Sequence, residues 1–117
     1  MKSNKQKTKI AVGSLRIGSY AKRLINETLR KNRLSYGPLT IKFENDFAEA
    51  HGARYGLFTV SGTSALKVAL LTLKRIHGWK DGDEVIVPAV TFIATSNIIL
   101  QNNMTPVFVD VDPLTYN

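Results

Sequence analysis

The sequence predicts an α/β fold, in which parallel strands alternate with helices, and two observations support this prediction. From residue 54 onward, short apolar runs and longer amphipathic stretches follow each other in the order strand, helix, strand, helix, strand. Two of the predicted strands have cores, at 85–87 and 107–109, that are apolar at every position. Such runs are typical of parallel strands that are covered by helices on both faces.

Two helices are predicted before this unit. The first spans about residues 20–31, with Ser19 as its N-terminal cap. The Ser-Tyr-Gly-Pro sequence at 35–38 then favours a loop. The second helix spans about residues 40–51, and Gly52 is expected to end it.

The predicted elements of the α/β unit follow in chain order. They are a strand at 55–60, a strongly apolar helix at 65–76, a strand at 84–88, a helix at about 91–100 and a strand at 106–110. Such a three-stranded sheet has two exposed edges, and no helix follows its last strand within the 117 residues. We therefore expect residues 54–117 to be the start of a larger α/β domain, preceded by a helical segment at 10–53.

The composition excludes several classes of protein. The 117 residues amount to one domain, and the hydrophobic share of 44% is ordinary for a globular protein. The absence of cysteine excludes a disulfide framework and a thiolate metal site. Since no apolar run approaches the ~20 residues of a membrane span, and the charged N-terminus is unlike a signal peptide, we expect a cytoplasmic protein without a membrane partner.

The net charge of +7 is concentrated near the N-terminus. Residues 1–33 hold ten of the sixteen basic residues and one acid, Glu27, whereas the other 84 residues carry six basic and eight acidic side chains. Such an arm could bind nucleic acid or an acidic surface, and a small basic binding module is therefore one alternative function. Because no nucleic-acid motif accompanies the charge, nucleic acid is not the expected partner. Residues 1–9 are polar and rich in lysine, and we expect them to be a disordered tail.

The most informative segment is Ser61-Gly62-Thr63-Ser64, hereafter the 61–64 turn. It lies where the first predicted strand ends and a helix begins. A helix N-terminus exposes unpaired N–H groups and a partial positive charge, which together favour a phosphate, and Gly62 lets the backbone approach an anion closely. The same residue types are ordinary helix caps, so both interpretations stay open from the spacing alone.

Two further segments are candidates for function. Phe92 follows the strand at 84–88, and ligands of open α/β sheets bind at the carboxyl ends of strands. Its ring could stack on a planar cofactor, or it could cap the core. Asp110 and Asp112 follow the last strand and could form a metal pair, but turn and cap residues are the favoured interpretation, so we expect no metal site.

Four motifs in register resemble those of a known family. They are Gly37-Pro38 before a helix with Phe43-Glu44, then residues 61–66, then 82–88 with 91–95, and finally 106–113. Their order and spacing resemble the N-terminal third of the DegT/StrS sugar aminotransferases, which are pyridoxal-phosphate (PLP) enzymes with the aspartate aminotransferase fold, fold type I. The resemblance covers about residues 10–117.

The resemblance implies a cofactor, a reaction and a set of binding residues. PLP would be held at its phosphate by backbone amides around Gly62, Thr63 and Ser64, with Phe92 stacked on the pyridine face. The loop of Tyr36, Gly37 and Pro38 would help to shape a nucleotide-sugar pocket. The implied enzyme is a homodimer that moves an amino group from an amino-acid donor to a keto-sugar nucleotide, in the biosynthesis of amino sugars, surface polysaccharides or antibiotic sugars.

The resemblance also implies what the 117 residues do not carry. The Schiff-base lysine of the family and the acid that pairs with the pyridinium nitrogen come from sequence beyond residue 117, and PLP chemistry needs both. Lys67 and Lys74 lie on the helix after the 61–64 turn and are expected to face solvent. We therefore expect no catalytic residue within this chain, and an inactive fragment when it is alone.

Overall fold

The computed structural model describes residue 13 and residues 15–115. The described elements are α1 (Ser19–Arg30), α2 (Pro38–Ala50), α3 (Gly62–His77), β1 (Glu84–Pro88), α4 (Ala94–Leu100) and β2 (Thr105–Val109). The chain divides into two compact units, Met1–Ile41 and Lys42–Asn117. The disordered tail expected at residues 1–9 lies outside the described residues.

Helix α1 begins one residue earlier than expected. Gly18 takes the cap position with an extended backbone (φ −70°, ψ 169°), and its carbonyl accepts the first helical hydrogen bond from Lys22 N at 3.1 Å. The prediction of Ser19 as the cap is therefore wrong, since Ser19 is itself the first helical residue.

Helix α2 begins at Pro38, which the sequence placed in a loop. Proline suits the first position of a helix because its φ is already helical and its missing N–H would have no partner there. At the other end, Gly52 adopts a left-handed conformation (φ 62°), and Ala53 N donates to Ala48 O at 2.9 Å. This is the hydrogen bond of a Schellman motif, so the prediction that Gly52 ends the helix is confirmed.

The prediction of a first strand at 55–60 is wrong. These residues are irregular, and within the described part of the chain the sheet has two strands, neither of which includes them. The hydrophobic side chains remain outside the core, with Leu57 73% and Val60 90% exposed. An apolar run becomes a strand only where a partner strand pairs with it, and no described strand does so.

The two observed strands form the parallel pair that the sequence predicts. β1 and β2 are paired with Val85 opposite Pro106 and Val87 opposite Phe108, and α4 connects them. The bounds of β1 match the predicted strand, and β2 is displaced by one residue. A helix between two adjacent parallel strands is the βαβ arrangement, which confirms the α/β class.

The core of the described structure lies between helices α3 and α4 and one face of this sheet. Its buried residues, drawn from α3, β1, α4 and the turn before β2, are Leu70, Val87, Ile98, Ile99 and Met104. On the strands, Ile86 is 72% exposed and Phe108 57% exposed. Among the described residues, the predicted cover by helices is therefore present on one face of the sheet and absent on the other.

Candidate cofactor site

The 61–64 turn is a capped helix start. Ser61 has an extended backbone, and its Oγ accepts a hydrogen bond from Ser64 N at 3.1 Å. The Ser61 hydroxyl also donates to Ser64 Oγ at 3.1 Å, and the Ser61 carbonyl accepts from Ala65 N at 3.0 Å. Because these contacts define Ser61 as the N-cap, α3 begins at Gly62, three residues before the apolar run that predicted it.

Two backbone donors of this turn are not used by the cap. Within the part of the chain that the structure describes, the amides of Gly62 and Thr63 have no hydrogen-bond acceptor. A Cβ placed on Gly62 would meet no protein atom within 4 Å, so the space beside it is open. Two N–H groups at the positive end of a 16-residue helix form an arrangement that suits an anion.

The three predicted phosphate-binding residues thus differ in what they can offer. Gly62 and Thr63 have amides without an acceptor, whereas the Ser64 amide is already bonded to the Ser61 side chain. The Ser64 amide is therefore not the free donor that the resemblance implies, because the cap uses it. The Ser64 hydroxyl, which accepts from Ser61 Oγ, keeps its own proton for a further acceptor.

Phe92 lies in the turn between β1 and α4 and is 75% exposed. It does not cap the described core. Its carbonyl accepts a hydrogen bond from Thr95 N at 2.9 Å, and Thr91 Oγ1 lies 3.1 Å from Thr95 Oγ1. These contacts shape the turn, so that α4 begins at Ala94 rather than near Thr91.

The connectivity assigns the 61–64 turn and Phe92 to one edge of the sheet. At the opposite edge, the turn that leads into β1 meets the turn that leads into β2, with Gly82 N donating to Asn103 O at 2.7 Å. Helices α3 and α4 both end in these turns. The start of α3 and the residues after β1 consequently belong to the carboxyl edge of the strands, where open α/β sheets bind their ligands.

Sequence reasoning missed a contact that holds the segment before the 61–64 turn. Glu44 Oε1 accepts a hydrogen bond from Phe58 N at 2.9 Å, and the rings of Phe43 and Phe58 meet edge to face with centroids 5.6 Å apart. Glu44 is half-buried on α2 next to Phe43. No local pattern in the sequence signals this contact, because its two residues are 14 positions apart.

The predicted substrate loop belongs to the Met1–Ile41 unit. Tyr36 is 60% exposed, and its carbonyl accepts from Arg33 Nη2 at 3.2 Å. Gly37 is buried under the same arginine, since a Cβ at Gly37 would lie 2.8 Å from Arg33 Nε. Arg33, which the sequence analysis did not single out, is thus the side chain that shapes this loop.

The two aspartates after β2 serve the backbone, as the favoured interpretation predicts. The Thr115 and Leu114 amides donate to Asp112 Oδ1 at 2.8 and 2.7 Å, and these hydrogen bonds lower the pKa of Asp112 below its ordinary value. Asp110 Oδ1 accepts from the Val111 amide. In the described residues, no group of three or more His, Cys, Asp or Glu side chains could hold a metal ion.

Of the two lysines expected to face solvent, one does and one does not. Lys67 is exposed. The Lys74 side chain is only 13% exposed; its Nζ donates to Asn102 O at 2.7 Å and pairs with Asp81. The expectation for Lys74 is wrong because the last turn of α3 lies against the end of α4, whose carbonyls need donors.

None of the described helices combines the length and the apolar character that crossing a bilayer requires. The structure therefore combines a parallel β1-α4-β2 unit with a preceding helix, α3, whose first two amides have no acceptor among the described residues. This arrangement is typical of α/β domains that bind their ligands at the carboxyl edge of the strands. The chain belongs to the DegT/DnrJ/EryC1/StrS aminotransferase family, whose model matches residues 16–117.

Individual relatives support this assignment. The GDP-perosamine synthase of Escherichia coli O157:H7 is 44% identical over 96 residues, which cover 81% of this chain and 25% of that protein. The UDP-2-acetamido-2-deoxy-3-oxo-D-glucuronate aminotransferase of Pseudomonas aeruginosa is 37% identical over 93 residues, or 80% of this chain and 25% of that protein. The chain spans about a quarter of the length of these curated relatives.

A solved structure confirms the fold class. The E. coli GDP-4-keto-6-deoxy-D-mannose-3-dehydratase with bound hydrated PLP superimposes with a TM-score of 0.79 at 30% identity, covering 91% of this chain and 28% of that one. The predicted fold type I of PLP-dependent enzymes is thereby confirmed.

Proposed function

We propose that this chain is part of a PLP-dependent aminotransferase that transfers an amino group from an amino acid to a keto-sugar nucleotide. The observation that carries the proposal is the pair of amides, Gly62 N–H and Thr63 N–H, that have no acceptor among the described residues. The chain that carries these amides belongs to a family of aminotransferases. The name of one relative describes an aminotransferase that acts on an oxo derivative of a sugar nucleotide.

The residues present fit the phosphate and the ring of PLP. The amides of Gly62 and Thr63, with the Ser64 hydroxyl, would hold the phosphate, and the exposed ring of Phe92 would stack on the cofactor ring. When bound, PLP supplies the electron sink that amino-group transfer needs. This chain's own contribution is therefore to bind and orient the cofactor, and the loop of Tyr36, Gly37 and Pro38 is proposed to shape the sugar-nucleotide pocket.

We further propose that a polypeptide of these 117 residues alone does not transaminate. The two lysines of α3 do not provide the reactive amine in this proposal, since Lys67 is exposed and Lys74, at the end of α3 away from the 61–64 turn, is bound to Asn102 and Asp81. The test is an assay of that polypeptide with glutamate and a keto-sugar nucleotide, where formation of an amino sugar would contradict the proposal. The complete enzyme is proposed to be a cytoplasmic homodimer.

The binding experiment compares Gly62→Val with Gly18→Val, which alters the glycine at the start of another helix. PLP affinity is measured by titration, with inorganic phosphate as a competitor. Because a Cβ at Gly62 would meet no protein atom within 4 Å, the variant should fold. We expect Gly62→Val to lose about tenfold or more in PLP affinity, about 1.4 kcal/mol, and Gly18→Val to bind normally. Equal affinities in both variants, or no PLP binding by the unaltered protein, would contradict the proposal.

A second candidate function is dehydration of a keto-sugar nucleotide. The observation that favours it is the likeness to the 3-dehydratase, at 30% identity and a TM-score of 0.79. The two reactions give different products, because an aminotransferase adds nitrogen to the sugar and a dehydratase removes a hydroxyl. Mass spectrometry of the product separates them. The family match favours either enzyme over the basic binding module.

A further inference from the structure

We propose that Glu44 is a positioning residue for the 61–64 turn. Its carboxylate fixes the segment at 56–60 on α2, and through that segment it sets the direction of the Gly62 and Thr63 amides. The inference deepens the proposed function and rests on it, since it concerns how the phosphate-binding amides are held. Glu44 does not itself need to touch the ligand.

Both the side chain and the main chain of Glu44 contact this segment. Glu44 Oε1 accepts from Phe58 N at 2.9 Å. The Glu44 carbonyl lies directly against Gly56, where any Cβ would overlap with it. Next to these contacts, the rings of Phe43 and Phe58 pack edge to face, with an angle of 86° between their planes. The segment thus contacts α2 at both Gly56 and Phe58 rather than at a single residue.

These contacts with α2 matter because no strand among the described residues pairs with the segment at 56–60. Among the residues that the structure describes, Phe58 N–H is the one backbone group of residues 54–60 that is hydrogen-bonded to another element. A carboxylate acceptor makes a charge-assisted hydrogen bond, which is stronger than one between neutral groups. Removal of this acceptor would leave the backbone of the segment without a hydrogen bond to α2.

A short run of contacts connects Phe58 to the free amides. Thr59 Oγ1 donates to Ser61 O at 2.9 Å, and Ser61 Oγ accepts from Ser64 N at 3.1 Å. Ser61 is the cap that defines where α3 begins. A shift of the chain at Phe58 would therefore move the cap, and with it the two amides that follow.

The experiment uses two substitutions of Glu44 and one matched control. Glu44→Leu keeps the size of the side chain and removes the acceptor, whereas Glu44→Gln keeps an acceptor oxygen and removes the charge. Glu49→Leu is the control, because Glu49 is an exposed acid on the same helix whose side chain makes no hydrogen bond or ion pair with the described residues. The readouts are PLP affinity, hydrogen exchange at the Phe58 amide, and the NMR shifts of the Gly62 and Thr63 amides.

We expect Glu44→Leu to accelerate exchange at Phe58, to shift the Gly62 and Thr63 signals, and to weaken PLP binding about tenfold. Glu44→Gln should restore PLP affinity to within about threefold of the unaltered protein, since its amide oxygen still accepts from Phe58 N–H. Glu49→Leu should change none of the three readouts.

Three results would overturn the inference. They are unchanged amide signals in Glu44→Leu, an equal loss of affinity in the Gln and Leu variants, and an equal loss in Glu49→Leu. Failure of the proposed function looks different, because the unaltered protein would then not bind PLP at all. The exchange and shift measurements need no ligand, so they test the positioning role in either case.

Discussion

Lys74 Nζ donates to the main-chain oxygen of Asn102 at 2.7 Å and so ties the last turn of α3 to the end of α4. The same nitrogen pairs with Asp81, in the turn that leads into β1. The lysine side chain is 13% exposed, whereas that of Asp81 is 71% exposed. One cation therefore holds two helix ends and a turn together, at the edge of the sheet opposite the 61–64 turn.

Replacing Lys74 by methionine tests this tie. Methionine keeps the apolar stem of the side chain but donates no hydrogen bond, so the Asn102 carbonyl loses its charged donor. We expect Lys74→Met to lower the free energy of unfolding by about 1–3 kcal/mol in urea denaturation. Lys67→Met, at an exposed position of the same helix, should change it by less than about 0.5 kcal/mol. Equal effects would show that the contact does not contribute to stability.

The partner of Lys74 gives a prediction about pH. The hydrogen bond from Lys74, and then its charge, lower the pKa of Asp81 below its ordinary value. Because the folded-state pKa is depressed, the pair stabilises the fold above about pH 4, the ordinary aspartate range, and this contribution is lost as the pH falls through the folded-state pKa. Asp81→Asn should therefore flatten the dependence of unfolding free energy on pH below about pH 4.5. Parallel curves for Asp81→Asn and the unaltered protein would contradict the prediction.

Local signals account for the parts of the fold that the sequence predicted well. Gly52 and Gly78 end their helices with φ of 62° and 68°, a region that glycine enters without steric cost. β1 lies between Gly82, with φ 90°, and Pro88, so both of its ends are marked in the sequence. The run at 55–60 has similar apolar composition, but whether it forms a strand depends on a partner far away in sequence, which composition does not reveal.

In the candidate site too, local features were predicted and contacts between distant residues were missed. Gly62 and Thr63 were predicted from the start of a helix, which is a local feature. Glu44 was missed as a contact of Phe58, 14 positions away, and Lys74 as a contact of Asn102, 28 positions away. Side chains that join distant parts of the chain are not visible in spacing or periodicity, since tertiary packing alone brings them together.

Gly56 and Gly62 differ in the space that is available for a side chain. A Cβ at Gly56 would overlap with the Glu44 carbonyl, which is backbone and cannot move aside cheaply, whereas a Cβ at Gly62 would meet nothing within 4 Å. We expect Gly56→Ala to lower the free energy of unfolding by about 1–3 kcal/mol. Gly62→Ala should change it by less than about 0.5 kcal/mol. Denaturant titration measures both, and a Gly56→Ala protein as stable as Gly62→Ala would show that α2 and the 56–60 segment are less closely packed than the structure describes.

Phe92 allows the cofactor role to be separated from a structural one. Since its side chain is 75% exposed, Phe92→Ala should leave the free energy of unfolding within about 0.5 kcal/mol of the unaltered protein. If the ring stacks on PLP, the same substitution should weaken PLP affinity by about 0.5–1.5 kcal/mol, and Phe92→Tyr, which keeps the ring, should restore it. Val90→Ala, at a 70% exposed position of the same turn, is the control and should bind normally. A Phe92→Ala protein that binds PLP as well as the control would mean that the exposed ring serves another purpose, because loss of a stacking partner cannot leave the affinity unchanged.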